Sequence, residues 1–389
     1  MTSDPAEILA NLVAIPSVSS QSNAPLLNAI SQLLEPHGWT TQRHSYIASD
    51  GIEKANLLVF PTQFEENLPN VELLFVCHTD TVPFKSQWAD ATHLVEADDM
   101  LHGCGACDVK GSLAGLIAAA LDVDPERIHV PVAFAFTAEE EIGCIGAQRL
   151  VSSGAIKPRH VIVCEPTSLQ PATAGKGYGL AEVFVTGHEA HSAFPVKGAS
   201  AINTAAQIIV RLDEWQQTAE RDRNPLFNPP YTTFNVGVVR GGTAKNIIAG
   251  ECSFLVEWRP IPSEDPHLGG EIIQQLAEEI ARKRSECAVK VRVLRADRGF
   301  ANPPSSRLAA ALSTMLGRAE TGISFGSEAT RFAAIAEEAV VIGPGDMETA
   351  HSEREKIPRS ELEEWTEVIK RLLLHGLQNP SQSHITSQI

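Results

Sequence analysis

The stretch FTAEEEIG (136–143) sets Glu139, Glu140 and Glu141 side by side, directly after the apolar run VPVAFAF. Neighbouring carboxylates repel one another, and a solvated turn has no need to gather three of them at the end of a buried strand. Holding a cation and moving a proton are the two tasks that would justify the crowding. The run alone does not say which glutamate would do which. Other candidate ligands stand in comparable places. VELLFVC (71–77) leads into His78 and Asp80, HVIVC (160–164) into Glu165, and AVVI (339–342) into a loop carrying His351. The glycine-dense GCGACDVKG (103–111) adds Asp108 just before a helical pattern over 112–122.

Any one of these acids read alone is a helix cap or a turn residue. Together they form a pattern, because independent caps have no reason to follow so many buried strands. Imidazole and carboxylate are ligands that zinc accepts, and a catalytic zinc keeps one position open for water. Two histidines and three carboxylates suffice for two ions if one carboxylate bridges them. His78 and Asp80 are two residues apart, which puts both side chains on one side of an extended chain. That spacing suits Asp80 to orienting the imidazole as an outer acceptor.

The elements that must position these residues are legible as patterns. The four runs are continuously apolar, as strands covered on both faces require. They predict an α/β sheet whose strand ends share one crevice. The chain opens on a helix capped by Asp4 with Pro5 at its first position. Near its end Leu362, Trp365, Val368, Ile369 and Leu372 recur at helical spacing, behind a predicted capping box of Ser360 and Glu363. The middle differs. AEVFVTG (181–187) and VKVRVLR (289–295) alternate, as do TFNVGVV (233–239) and ECSFLVEWR (251–259) in part, which marks a sheet with one wet face. With helices near 200–217 and 268–285, the order is β-α-β-β-α-β, a ferredoxin-like arrangement. The predicted division is therefore a first domain over 1–177 and 297–389, interrupted by a smaller one over 178–296. The polar tail from about 377 is expected to be loose.

Composition narrows the function classes. The chain has 389 residues, too many for one typical core, and 43% are hydrophobic, as in globular proteins. A net charge of −17 argues against nucleic acid or an anionic membrane as partner. No stretch is long and apolar enough to cross a bilayer, and the acidic N-terminus is not a secretion signal, so the expected location is the cytoplasm. Seven cysteines at irregular spacing do not suggest a disulfide framework, and Cys104-x-x-Cys107 has no second pair to complete a structural zinc site. Cys77, Cys107 and Cys164 each adjoin a candidate ligand. Neighbours on a strand face opposite ways, so these read as small core residues.

HTDTVP, GCGACDVKG, EEEIG, CEPT and AHSEREKIP resemble, in order and spacing, motifs of the co-catalytic zinc deacylases and exopeptidases. That family includes acetylornithine deacetylase, succinyl-diaminopimelate desuccinylase, glutamate-releasing carboxypeptidases and aminoacylase-1. The resemblance covers nearly the whole chain. SFGSEA (324–329) followed by VIGPG (341–345) is most similar to the acetylornithine deacetylase branch. It implies an α/β zinc-hydrolase sheet flanked by helices, with the inserted domain acting as lid and dimerisation domain of a homodimer. It also implies two zinc ions per subunit, replaceable by cobalt or manganese. Asp108 would bridge them, His78 and Glu165 would complete one, and Glu141 and His351 the other. Glu140 would be the general acid/base and Asp80 the support of His78. His191, in GHEAHSAFP, would reach into the partner subunit's site and bind the reacting carbonyl oxygen. Asn246, Arg259 and the Gly326-Ser327-Glu328 stretch would contact substrate, Arg259 by a two-point grip on an α-carboxylate. Glu328 would meet a substrate ammonium, with a helix cap as the competing role. Glu139 is left without an assigned role. Where relatives commonly read Gly-Arg-Gly, this chain has Gly103-Cys104-Gly105, which affects loop packing rather than a ligand.

The reaction so implied is removal of acetyl from an N-acetyl amino acid, N2-acetyl-L-ornithine first, as in arginine biosynthesis. Desuccinylation or peptide hydrolysis at the same site is the alternative, and so, outside enzymes, is a zinc-binding dimeric scaffold without turnover.

Overall fold

The computed structural model describes residues 3–218 and 221–377. The chain forms two compact units. One holds the chain up to Thr173, Ala301–Thr321 and the part from Ser327 onward; the other holds Ala174–Phe300 and Gly322–Gly326. The short Gly322–Gly326 segment, placed by the sequence pattern with the first domain, thus packs with the second unit.

In the first unit the strands Trp39–Ile47, Glu53–Pro61, Val132–Thr137, Asn70–His78, Lys157–Val163 and Glu338–Val341 lie side by side in that order. The first two are an antiparallel hairpin, and Glu53–Pro61 runs antiparallel to Val132–Thr137. The remaining four are mutually parallel, so their C-terminal ends emerge together. All four predicted apolar runs are among these strands. Their side chains are buried because helices cover the sheet, among them Pro5–Val13, Gly111–Asp122 and Arg359–His375. Gly115 lets the last two approach: a Cβ there would lie 2.8 Å from the Trp365 ring. The first helix is capped as predicted, Asp4 accepting from the Ala6 amide at 2.9 Å. The last is not. It starts at Arg359, and Glu363 pairs with the Arg359 guanidinium at 3.0 Å instead of turning back to Ser360. An ion pair one turn apart has won over the capping box. The predicted loose tail, from residue 378 on, lies outside the described residues.

In the second unit the strands Tyr178–Thr186, Thr233–Gly241, Glu251–Arg259 and Ala288–Asp297 form an antiparallel sheet, with Thr233–Gly241 and Ala288–Asp297 at its edges. The helices Ala201–Thr218 and Leu268–Lys283 fall after the first and third of these in the chain. Val183, Val185, Phe254, Val256 and Trp258 are buried with Ile208, Leu212, Ile273 and Ile280 of those helices. One sheet face is therefore covered and the other wet, as the alternation required. Among the described residues, no helix is long and apolar enough to cross a membrane.

Candidate active site

The site is built at the C-terminal ends of the parallel strands, where the backbone must leave the sheet and its side chains turn to one crevice. His78 is the last residue of its strand, Glu165 follows Val163 by two, and the Glu139–Glu141 run follows Thr137. Between them lies the irregular turn containing Asp108, whose backbone (φ −121°, ψ 85°) is not helical although a helix begins at Gly111. Gly105 enters that turn at φ +78°, a conformation that costs a side-chain-bearing residue energy.

Asp108 is the hub. Its Oδ1 lies 3.0 Å from His78 Nε2 and its Oδ2 lies 3.0 Å from His351 Nε2. Each oxygen of one buried carboxylate thus faces a different imidazole. His351 Nε2 is also 3.1 Å from Glu141 Oε2. Two sets of donors result, His78, Asp108 and Glu165, and Asp108, Glu141 and His351, and within each the donor atoms lie within 4.8 Å of one another. All five sequence-predicted ligands are in these sets. Cys77, Cys107 and Cys164 are in neither and belong to the hydrophobic core. Cys104 is likewise buried, with its amide bonded to the Ala91 carbonyl at 2.9 Å.

The electrostatics test whether such a donor set fits cations. Burial pushes Glu165 well up, and neighbouring Asp108, Glu140 and Glu328 push it further. Burial also lifts Glu140, to about 8, with His78 pulling it down and Glu328, Glu141 and Asp108 adding to the rise. Glu141 is raised by burial and by Asp108, against its bond to His351. His351 is raised to about 10 by its bonds to Asp108 and Glu141. His78, although burial lowers it, is raised by Asp108. The same histidine contacts hold Asp108 low despite its burial. Apart from Asp108, the acids and histidines here retain protons because negative charge is concentrated out of water. Cations at the two donor sets would relieve that concentration, so the residues fit a pair of metal ions. Three protein ligands per set also leave a position for water or substrate.

The surrounding contacts define roles more finely. His78 Nδ1–H donates to the main-chain carbonyl of Asp80 at 2.9 Å, so Nε2, which faces Asp108 Oδ1 at 3.0 Å, is the nitrogen that would meet an ion once it gives up its proton. The Asp80 carboxylate, expected to support that ring, is 3.9 Å away. It accepts instead from the amides of Glu140 (3.1 Å) and Glu141 (3.3 Å), while Ser19 donates to it at 2.7 Å. Strand spacing had the right residue with the wrong atom: the carbonyl serves the histidine and the side chain clasps the glutamate turn. Glu139 is at φ +59°, a left-handed conformation costing about 1 kcal/mol. Its buried carboxylate is fixed by the Tyr46 hydroxyl, which donates at 2.8 Å. Glu139 therefore anchors the turn from below while Asp80 holds its amides. Glu140 Oε1 accepts from the Cys144 thiol at 3.3 Å, a weak donor that leaves the carboxylate able to exchange a proton.

The model of peptidase family M20/M25/M40 matches residues 74–375, the span that carries every one of these candidate ligands. The chain belongs to that family. It is 39% identical over 368 residues to an acetylornithine deacetylase of Myxococcus xanthus, covering 94% of this chain and 96% of the relative. An acetylornithine deacetylase of Proteus mirabilis is 32% identical, covering 94% of this chain and 95% of the relative. Among solved structures, a tripeptidase from Staphylococcus aureus superposes with a TM-score of 0.79 at 19% identity, covering 97% of this chain and 98% of that one. A dinuclear metal binding peptidase of Bacillus subtilis does so with a TM-score of 0.68 at 15% identity, covering 95% and 96%. These two similarities speak for a shared α/β fold.

The remaining predicted contacts divide. In the second unit His191 and Asn246 are brought together, since His191 pairs with Ile247 across a two-residue ladder and the Ser192 amide donates to the Asn246 carbonyl at 3.0 Å. Both are exposed. The Ala193 amide donates to His191 Nδ1 at 3.1 Å, which leaves Nε2–H as the free donor of the neutral ring. Arg259 stacks on the Tyr178 ring, 4.6 Å from its centroid, with Glu257 at 3.5 Å; Gly326 is near its guanidinium. Glu328 departs from expectation. It has no exposed surface, makes no cap, and accepts from the Thr137 hydroxyl at 2.8 Å beneath the glutamate turn. Burial raises it to about 7. A carboxylate so enclosed does not meet a substrate ammonium. Ser327 is buried beside it and its hydroxyl accepts from the Ala329 amide at 3.3 Å. Ser19, Tyr46 and Glu355, whose carboxylate accepts from the Cys107 and Asp108 amides, escaped the sequence reading because each acts through long-range bonds that no periodicity encodes.

Proposed function

We propose that this protein is a dinuclear zinc amidohydrolase that removes the acetyl group from N2-acetyl-L-ornithine, or from a closely similar N-acetyl amino acid. The observation that carries the reading is Asp108, with one histidine facing each of its oxygens and Glu140 on the adjoining turn. The names of the relatives supply the substrate. The ions are read as zinc because each set offers imidazole and carboxylate; cobalt and manganese suit the same donors.

When bound, such ions lower the pKa of a water and polarise the amide carbonyl. The chain's own residues do the rest. Glu140 takes the proton from the attacking water and returns it to the departing amine nitrogen. Asp80 and Glu139 keep that carboxylate and Glu141 in register. His191, through Nε2–H, donates to the carbonyl oxygen as charge develops there. Arg259 holds the α-carboxylate. We read the second unit as a ferredoxin-like lid and as the dimer contact, through which His191 serves the partner's site. Ile202, Val210, Val238 and Val239 are exposed on it, apolar surface that a second copy would cover.

The test is a panel of N-acyl amino acids offered to the purified, zinc-loaded protein. N2-acetyl-ornithine should be turned over fastest, and Glu140→Ala should lower kcat by at least about 100-fold with both ions retained. Turnover independent of metal, or unchanged in Glu140→Ala, would overthrow the mechanism.

A further inference from the structure

We infer that Glu355 is a positioning residue that fixes the shared ligand Asp108, and through it the affinity of both metal sites. The inference rests on the two-ion reading above. Glu355 is buried, 2% exposed, against the turn that carries Asp108, yet it belongs to neither donor set. A buried carboxylate among others is costly unless hydrogen bonds hold it. Glu355 Oε1 accepts from two successive main-chain amides, Cys107 at 3.0 Å and Asp108 at 3.0 Å. Those amides need a partner. The backbone at Asp108 and Val109 leaves helical geometry, so the regular ladder of the following helix does not begin until later.

Two other bonds steady the same turn: the Lys110 amide donates to the Gly105 carbonyl at 2.7 Å, and Lys110 Nζ to the Ile15 carbonyl at 2.8 Å. Both act downstream or at the base of the turn. Glu355 alone among these grips the amide of Asp108 itself. Because Asp108 faces His78 with one oxygen and His351 with the other, a small rotation about its backbone would spoil both contacts at once. Glu355 also sits four residues after His351, and its amide donates to the Ser352 carbonyl at 3.0 Å. It thereby ties the segment bearing one ligand to the turn bearing the shared one.

The position yields a test that separates this role from two others. If Glu355 merely tightened the His351 loop, its loss would weaken only the ion held by Glu141 and His351. If it merely stabilised the fold, melting would fall with metal affinity unchanged in the folded protein. Metal stoichiometry and affinity are to be measured by competition with a zinc chelator on wild type, Glu355→Gln and Glu355→Asp, with circular dichroism on each. Gln keeps size but offers a weaker, neutral acceptor; Asp keeps charge but falls short of the amides. Both variants should bind both ions roughly 10- to 100-fold more weakly than wild type. Raising zinc should restore their kcat, with KM for the acylated amino acid unchanged. Wild-type affinity in both folded variants, or loss confined to one ion, would overturn the inference. A wild type that binds no ions would instead overturn the two-ion reading itself.

Discussion

Replacing Asp80 by Asn separates the two ways in which that residue can act. Asp80 accepts from Ser19, from the Glu140 amide and from the Glu141 amide, and these three donors use both of its oxygens. Asparagine keeps one acceptor oxygen and turns an NH2 group toward a donor, so at least one amide of the glutamate turn is left unpaired. A hydrogen bond to a charged group contributes about 1.5–3 kcal/mol. Losing one while a buried amide remains unsatisfied should therefore displace the turn at a cost of about 2–3 kcal/mol. At about 1.4 kcal/mol per factor of ten, kcat/KM should fall roughly 30- to 150-fold. The assay is deacetylation of N2-acetyl-ornithine by metal-saturated protein, with ion content measured on the same sample. Had the carboxylate worked by orienting the His78 ring, the asparagine oxygen would serve as well, since Nδ1–H needs only one acceptor. A variant within about threefold of wild type would refute the clasp.

Two further outcomes follow from the charges. Metal ligands bind deprotonated, and His351 (raised to about 10), Glu141 and Glu165 all hold protons more tightly than usual, so loading the stripped protein with zinc at pH 7 should release protons, more at pH 6 than at pH 9. Calorimetry in two buffers of different ionisation heat reads this directly, and equal heats would contradict it. Glu328 binds its proton up to about pH 7 in the folded state but only to about 4.5 when unfolded, so between those values the folded state holds more protons and stability falls as pH rises. Glu328→Gln should remove that fall: relative to wild type, the stripped variant should gain up to about 3 kcal/mol between pH 4.5 and pH 8 in urea denaturation, and a flat difference would refute the enclosed-carboxylate account.

Periodicity carried most of the fold. Continuous runs such as VELLFVC and HVIVC had to be strands covered on both faces, and each is one. The Trp39–Ile47 and Glu53–Pro61 hairpin went unread, although it supplies Tyr46. Its outer strand is half wet and lies at the sheet edge, so the hydrophobic signal is weak. Ligand types at strand ends were legible because chemistry restricts them, and order along the chain matched them to a family. What decides their geometry was not. The Asp80 carboxylate and the Glu355 carboxylate both bind main-chain amides, and an amide has no letter in a sequence. Glu328 shows the converse. Its letter suggested a charge offered to substrate, whereas its position under Thr137 encloses it.

The candidate ligands also arrive in a fixed order during synthesis. His78, Asp108, Glu141 and Glu165 leave the ribosome early, but the whole second unit is made before His351 and Glu355. Because the first unit draws on chain from both sides of the second, the residues that set His78, Asp108 and Glu165 in place include a stretch made only after the second unit. The second set closes only when the segment bearing His351 has followed the second unit.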